Sequence, residues 1–250
     1  MKSVRVLAAA LLALALPASA QYTNTMNGRQ FSNMHAANAD FLMSQMIQQG
    51  QWNIMRMTME QTIEKQRRAQ GLAPAPAAQG RAPAPAPKAA PAKVAYKYPL
   101  TATDFKPAGA RNVPQQLSAA VGDPNERRQF EAACREILAT IEKTPGFRKN
   151  NLAAAMTVLL GVSLQVVKQI EIPDAESQEF MRGLNDQLAA LSAFSSMSPE
   201  KRTQVYDTMV IVGGLIAGIA QNAAETRNRE MAALALQMAK DSLAQFGVKS

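Results

Sequence analysis

The residues of this sequence that could do chemistry are charged and polar side chains at the junctions between predicted helices. Asp104 and Arg111 flank a Lys-Pro-Ala-Gly turn, across which they can pair. The other candidates stand directly before a long apolar segment: Arg148, Lys149, Asn150 and Asn151. Helix N-termini bind anions, and nearby cations reinforce this; Asn at such a position also caps exposed amides. The six residues therefore indicate either a ligand site or simple turn closure and capping.

Motifs of the common enzyme classes are absent from the sequence. It has no P-loop, GxGxxG, HExxH or G-x-S-x-G pattern. The single His, His35, offers no well-placed base, and Cys134 falls on the apolar face of a predicted helix, where a thiol is inert. One His and one Cys are too few for an ordinary zinc site, and we expect no cofactor. Because Asp and Glu are plentiful, carboxylate chemistry on cell-wall glycans stays open.

Soft metal binding is a further hypothesis, because seven of the fourteen Met lie between residues 26 and 59. Met55, Met57 and Met59, together with His35, are candidate Cu(I) ligands, since thioethers are soft donors. On a helix, however, Met55 and Met59 share a face and Met57 points elsewhere. Met also lines adaptable packing and partner surfaces, and that is the alternative interpretation.

The N-terminus has the features of a secretory signal. Lys2 and Arg5 precede an unbroken Ala/Leu run, and Ala18-Ser19-Ala20 provides a cleavage pattern before Gln21. The run is too short to span a bilayer as a helix. We therefore predict a signal peptide at residues 1–20, cleavage after Ala20, and a periplasmic or secreted protein.

Composition divides the remaining chain into three parts. Residues 71–95 are largely Gly, Pro, Ala and Lys, and alternating Pro stops both helix and sheet from propagating, so we predict a linker. Residues 21–70 form a Met/Gln-rich arm, partly helical. A lone helix of that size is marginal in water, so the arm should pack either on the C-terminal helical domain or on another molecule, an envelope protein or a second copy. Residues 96–250 form a helical domain large enough to fold alone.

The formal net charge of +8 belongs mostly to the segments before the domain. The signal contributes +2, residues 21–95 carry eight Lys/Arg and three Asp/Glu, and residues 96–250 carry seventeen and sixteen. A nucleic-acid-binding domain needs a basic face, so nucleic acid is not an expected partner. The basic arm could contact an anionic envelope polymer or lipid headgroups, and the alternative is that its charge serves solubility alone.

The pattern of the domain predicts an all-α fold, a compact bundle of about five helices. Asp123-Pro124 and Ser198-Pro199 are cap-then-Pro signals that begin the first and fourth helices. Asn151 begins the second, Asp174 caps the third, and the fifth covers about residues 226–246. A short helix can precede the first, after Pro114. Strand and hairpin signals are absent.

Two segments are apolar on nearly every side, residues 152–167 and residues 209–220. A helix that is hydrophobic all round lies buried in a bundle, and twelve residues cannot cross a membrane as a helix. We therefore predict one or two central helices and no transmembrane span in the mature chain. The glycines that would allow their backbones to approach closely are Gly161, Gly213, Gly214 and Gly218.

The order of these motifs resembles a known family over about residues 98–248. The likeness rests on the TDFKPAGAR stretch at residues 103–111, on Lys149-Asn150-Asn151, on Ser198-Pro199-Glu200 and on Val212-Gly213-Gly214. The family is a bacterial one of exported proteins that is catalogued only as a domain of unknown function. The resemblance supplies no activity.

Together these patterns favour a non-catalytic cell-envelope protein, a helical scaffold or binding module whose Met-rich arm contacts a partner. One alternative is a binder of a small apolar ligand between helices, which needs a cavity beside Gly161 or Gly214. The other is a cell-wall-acting enzyme, which needs two facing carboxylates in a pocket.

Overall fold

The structure is a computed structural model that describes residues 96–119 and 121–248. The predicted signal peptide (1–20), Met/Gln-rich arm (21–70) and linker (71–95) lie outside the described residues. The Cu(I) candidates Met55, Met57, Met59 and His35 lie outside them as well.

The described part of the chain is all-α, as predicted, and contains no strand. After a 3₁₀ turn at Leu100–Thr103 come α1 (Val113–Ser118), α2 (Pro124–Lys143), α3 (Leu152–Lys168), α4 (Asp174–Ala190), α5 (Ser192–Ser196), α6 (Pro199–Thr226) and α7 (Arg229–Gln245). The five long helices are the predicted ones, and α1 is the short helix expected after Pro114. The five-residue α5 was not predicted, because its Ser/Ala-rich sequence carries no clear periodicity.

Capping residues set most of the helix starts. Asp123 accepts hydrogen bonds from the amides of Asn125 and Glu126 at the start of α2, and Ser198 accepts one from the Lys201 amide at the start of α6. The prediction that Asp174 caps α4 was wrong. Pro173 occupies the capping position in an extended conformation, and Asp174 is the first helical residue, where its charge still suits the helix dipole.

The two apolar helices, α3 and α6, pack against each other at the centre, with α7 lying on both, α2 on α6 and α4 on α3. Their direction follows from contacts at two levels. Near the start of α3, the Tyr206 ring of α6 lies 6.4 Å from the Phe147 ring. Further along, Gly213 of α6 faces Leu159 of α3. Since residue numbers rise together on both helices, α3 and α6 are parallel.

Two glycines of α6 lie tightly against neighbouring helices, Gly213 against α3 and Gly214 against α2. A Cβ built on Gly213 would lie 2.9 Å from Val158 Cγ1 and 3.2 Å from the Leu159 Cα, and one on Gly214 would overlap Ile137 Cγ2. The prediction of close backbone approach between the two central helices is thus confirmed at Gly213, whereas the neighbours of Gly214 are side chains of α2. It was wrong for Gly218, where nothing lies within 4 Å. It was also wrong for Gly161, where an added Cβ would meet only Ile172 Cδ1, at 4.0 Å.

Within the described residues, α6 is the one helix whose length and composition alone would let it cross a membrane. Its most apolar window is 78% buried inside the bundle. Tyr206, Asp207 and Val210 are fully buried against neighbouring helices. Burial of this extent is what the core helix of a bundle shows.

Candidate functional site

The candidate residues lie where residues 96–112, here called the strap, cross one end of the bundle. The strap first follows α4, whose Asp186 carboxylate accepts hydrogen bonds from the amides of Lys97 (2.6 Å) and Tyr98 (2.8 Å). The neighbouring Asn185 is buried and donates to the Pro99 carbonyl at 2.9 Å. Its side-chain oxygen accepts from the hydroxyl of Thr103 at 2.8 Å. These contacts fix the first half of the strap on one helix.

Asp104 then ties the strap to the start of α3. Arg148 donates two hydrogen bonds to its carboxylate, from Nε to Oδ1 at 2.8 Å and from Nη2 to Oδ2 at 2.6 Å. Asn151 donates to the same carboxylate at 2.7 Å and to the Leu100 carbonyl at 3.0 Å, while its oxygen caps α3 through the Ala154 amide. One Asn side chain therefore caps the helix and holds the strap.

Arg111 ends the strap in a second ion cluster, between α2 and α6. Its Nε lies 3.1 Å from both carboxylate oxygens of Asp207, and its Nη2 bonds to Asp207 as well. Nη2 also donates to Glu142 Oε1 at 2.8 Å, and Lys149 Nζ lies 2.9 Å from the other Glu142 oxygen. The Asp207 side chain is 0% exposed and that of Glu142 is 7% exposed. This cluster joins the strap to α2, α6 and the loop before α3.

Burial and ion pairing act on these carboxylates in opposite directions. The Arg148 hydrogen bonds hold the pKa of Asp104 below its ordinary value, against a smaller effect of burial. Burial tends to raise the pKa of Glu142, but the contacts with Arg111 and Lys149 outweigh it and the pKa is lowered. For Asp207 burial outweighs Arg111, and its pKa is raised. Asp207 is therefore the carboxylate that depends most on its cation.

Aromatic rings pack around the Arg111 cluster. Tyr206 is fully buried, with its ring centroid 5.5 Å from that of Phe105 in an edge-on arrangement. The Arg111 guanidinium lies 5.9 Å from the Tyr206 ring centroid. Burial raises the pKa of Tyr206. These rings lie on one side of the ion pairs and keep water away from it, which strengthens the attraction between Arg111 and its carboxylates.

The structure brings all six predicted site residues to this end of the bundle, but in a different pairing. Asp104 and Arg111 do not pair across their turn, since Asp104 bonds to Arg148 and Arg111 to Asp207 and Glu142. Asn150 adopts the left-handed conformation (φ 57°), and its carbonyl accepts from the Phe105 amide at 2.9 Å. Positive φ is tolerated better by Asn than by most residues.

Sequence reasoning missed the partners on the helices: Glu142, Asn185, Asp186, Thr203 and Asp207. Two of them carried a signal. Asp207 stands beside an apolar run in a helix predicted to be buried, and a buried acid needs a partner. Glu142 stands in the last turn of α2, where the helix dipole disfavours an anion unless a cation is near. The third helix residue on the strap, Thr203, accepts a hydrogen bond from the Ala108 amide at 3.0 Å. In the sequence, nothing distinguishes Asn185, Asp186 and Thr203 from ordinary residues on a helix surface.

The described part of the chain contains no cluster suited to a metal ion and no reactive thiol. No group of three or more His, Cys, Asp or Glu side chains lies close enough there to hold a metal ion. Cys134 is fully buried, as its helix face predicts. Burial raises the pKa of its thiol to about 12, so it is protonated at neutral pH and a poor nucleophile.

Comparison with known proteins places the chain by family alone. No curated protein and no solved structure matches it. A family model described as a family of unknown function (DUF6683) matches residues 1–250, the full sequence. The chain thus belongs to this family of unknown function, in agreement with the resemblance that its motifs predict.

Proposed function

We propose that this protein is a non-catalytic, exported cell-envelope protein whose helical domain anchors an N-terminal arm. The observation that carries the proposal is the strap. Polar side chains of α2, α4 and α6, and of the N-terminal junction of α3, hold its backbone and its charged residues along its length. A segment fastened in this way transmits position, and force, from the domain to whatever precedes it in the chain.

The ion pairs of the two buried carboxylates, Glu142 and Asp207, support a structural role for the charged residues around the strap. Glu142 and Asp207 face the same guanidinium, which is the nearest arrangement to a carboxylate pair around the candidate site. Both are almost completely buried and both are bonded to cations. A glycan hydrolase needs one carboxyl free to donate a proton and a cleft between the two. The geometry therefore favours structural ion pairs that hold the strap over an active site.

The alternative of a small apolar ligand between the helices is not favoured. The space beside Gly214 is occupied, because Ile137 Cγ2 would overlap an added Cβ there and Ile141 Cδ1 would lie 3.1 Å from it. At Gly161 the side chain of Ile172 comes within ordinary contact distance. The space that the ligand would need beside Gly214 is therefore filled, and beside Gly161 a side chain already lies in contact range.

The sequence supplies the remaining parts of the proposal. The signal features of residues 1–20 support export to the periplasm or the medium, with a mature chain that starts at Gln21. The arm, residues 21–70, would contact an envelope protein or a second copy, and its basic residues an anionic envelope polymer. The domain holds the arm in place and takes no part in chemistry.

Export and partner binding are tested together. The full chain is produced in a bacterial host, and the mass of the protein from the periplasmic fraction should correspond to a start at Gln21. Residues 21–250 and residues 71–250 are then immobilised and exposed to the same envelope extract. A partner retained only by the longer protein, and rebound after purification, supports the proposal. Identical captures by the two proteins would overturn it, as would retention of residues 1–20.

A further inference from the structure

The strap is held on the bundle mainly by polar contacts. Among its side chains only Thr103 and Phe105 are buried. Phe105 belongs to the hydrophobic core, and Leu100 lies partly buried against that core. Detaching the strap therefore removes one aromatic ring from the core and leaves the packing between the long helices intact. Segments with few buried apolar contacts open at a low free energy.

Two buried asparagines, Asn151 at the start of α3 and Asn185 of α4, each bond to the strap at two points. The groups that they hold are the Pro99 carbonyl and the Thr103 hydroxyl for Asn185, and the Leu100 carbonyl and the Asp104 carboxylate for Asn151. Because the two pairs alternate along the chain, one pair cannot leave the bundle while the other stays. This part of the strap therefore opens as one unit.

The carboxylates that hold this part of the strap lie near water. The side chains of Asp104 and Arg148 are 38% and 34% exposed, and an exposed ion pair of this kind is worth about a fivefold factor or less. Asp186, which accepts the amides of Lys97 and Tyr98, is also partly exposed. Opening therefore leaves none of these charges buried without a partner.

Arg111 is bound in a different way. The Asp207 side chain is 0% exposed, and Arg111 is its cation among the described partners. Removing one partner of a buried ion pair lowers stability by about a hundredfold or more, and the partial exposure of Arg111 (32%) reduces this to about 30-fold. The buried side chains of Val113 and Leu117 in α1 hold the chain directly after it.

We propose that residues 96–108 detach from the bundle as one unit while the helices stay folded, and that detachment stops at Arg111. Gly109, exposed and with φ 72°, lies between the two parts and absorbs the change in chain direction. The detached residues form a free tether of up to ~40 Å. The use of this tether, which lets a partner on the arm move before load reaches the core, rests on the proposed function.

Native-state hydrogen exchange of residues 21–250, followed by NMR under conditions that report the opening equilibrium, tests the proposal. The strap amides to follow are those of Tyr98, Phe105 and Ala108, each bonded to a group outside the strap. The core amides are those of Val210 and Ile211, which are fully buried in α6. We expect one shared protection factor for the strap amides, about 100-fold or more below that of the core. Equal protection of strap and core would overturn the proposal.

Two variants separate local opening from global unfolding. Phe105→Leu removes packing that only the attached strap makes, so protection at all three strap amides should fall together, roughly tenfold. Phe130→Leu in α2 is the matched control, since its ring is similarly buried (5% exposed against 9%). It weakens the bundle equally in the attached and detached forms, so core protection should fall and strap protection should stay unchanged. A parallel loss at strap and core in Phe130→Leu would contradict local opening. Loss at the Phe105 amide alone in Phe105→Leu would contradict a single unit.

Arg111→Met tests where detachment stops. If Arg111 stays on Asp207 when the strap opens, its replacement acts on global unfolding alone. Core protection should then fall by about 30-fold, while the strap amides keep the protection of the parent protein. Equal losses at strap and core would show that Arg111 leaves with the strap. The purified protein suffices for all of these measurements, so a failed pulldown leaves this test unaffected and a failure here leaves the pulldown unaffected.

Discussion

Replacing Arg111 by Met should reveal how strongly the strap depends on its buried ion cluster. Met keeps most of the length of the side chain but removes the guanidinium that Asp207 and Glu142 share. Glu142 keeps Lys149 at 2.9 Å, whereas Asp207 has no other cation among its described hydrogen-bond and ion-pair partners. The substitution thus leaves one carboxylate buried, 0% exposed, without a counter-charge.

The size of the effect follows from that burial. Removing one partner of a buried ion pair costs about 3–5 kcal/mol. Arg111 itself is 32% exposed, so water can enter through the place it leaves and reduce the loss. We expect the free energy of unfolding to fall by about 2–4 kcal/mol at neutral pH.

The loss should depend on pH with a definite sign. Burial already raises the pKa of Asp207, and removing Arg111 raises it further. A carboxyl whose pKa is higher in the folded than in the unfolded protein (~3.9) binds its proton more tightly when folded. Its unfavourable ionisation is absent below the unfolded pKa, grows as the pH rises from the unfolded to the folded pKa, and is complete above the folded pKa. The variant should therefore be closest to the parent protein in acid and furthest from it at neutral pH.

Urea unfolding of residues 21–250, followed by far-UV circular dichroism at several pH values, measures both effects. Arg111→Met combined with Asp207→Asn should recover at least half of the loss and most of the pH dependence. Arg135→Met is the matched control, since its pair with Glu131 is exposed on one helix (54% for Arg135) and should cost at most about 1 kcal/mol. A loss at Arg111 no larger than in this control, or one that is the same at every pH, would refute the reasoning.

Further predictions concern the helix packing, the second ion pair and the thiol. Gly213→Ala and Gly218→Ala gain the same helix propensity, so the first protein should be less stable than the second by about 1–3 kcal/mol of overpacking; equal unfolding midpoints would contradict the close approach. The lowered pKa of Asp104 contributes stability that is lost as the pH falls below ~4, and Arg148→Gln should weaken this acid sensitivity in pH-dependent melting. Cys134 should react with a thiol reagent only in denaturant, and rapid labelling of the native protein would show that its burial is wrong.

The helices could be predicted from sequence because each has a local signal. Asp123 and Ser198 accept amide hydrogen bonds at helix starts, and the apolar periodicity between them sets the buried faces. Asp174 shows the limit of such signals, since an acid near a helix start can be a cap or a first-turn residue. The two possibilities differ in the backbone conformation of Asp174 itself, which is extended in a cap and helical here.

The ion pairs between the strap and the bundle could not be predicted, because they depend on where helices far apart in sequence meet. Asp104 and Arg111 are neighbours in the chain, yet Arg111 bonds to Asp207, 96 residues away, and Asp104 to Arg148, 44 residues away. Nearness in sequence suggested the wrong partner. The packing of α2, α3 and α6 decides which carboxylates reach the strap.

The parallel course of the two central helices also determines what may be removed from this protein. The last turn of α3 and the first turn of α6 lie at opposite ends of the bundle, separated by about the length of α3, ~25 Å for its 17 residues. No tight turn bridges such a gap. The segment formed by α4 and α5 is thus an obligatory return path, and shortening it would separate the core pair even though α5 itself is only five residues long. Insertions and circular permutation are better tolerated at the exposed tip between α6 and α7, where the chain already reverses within two residues.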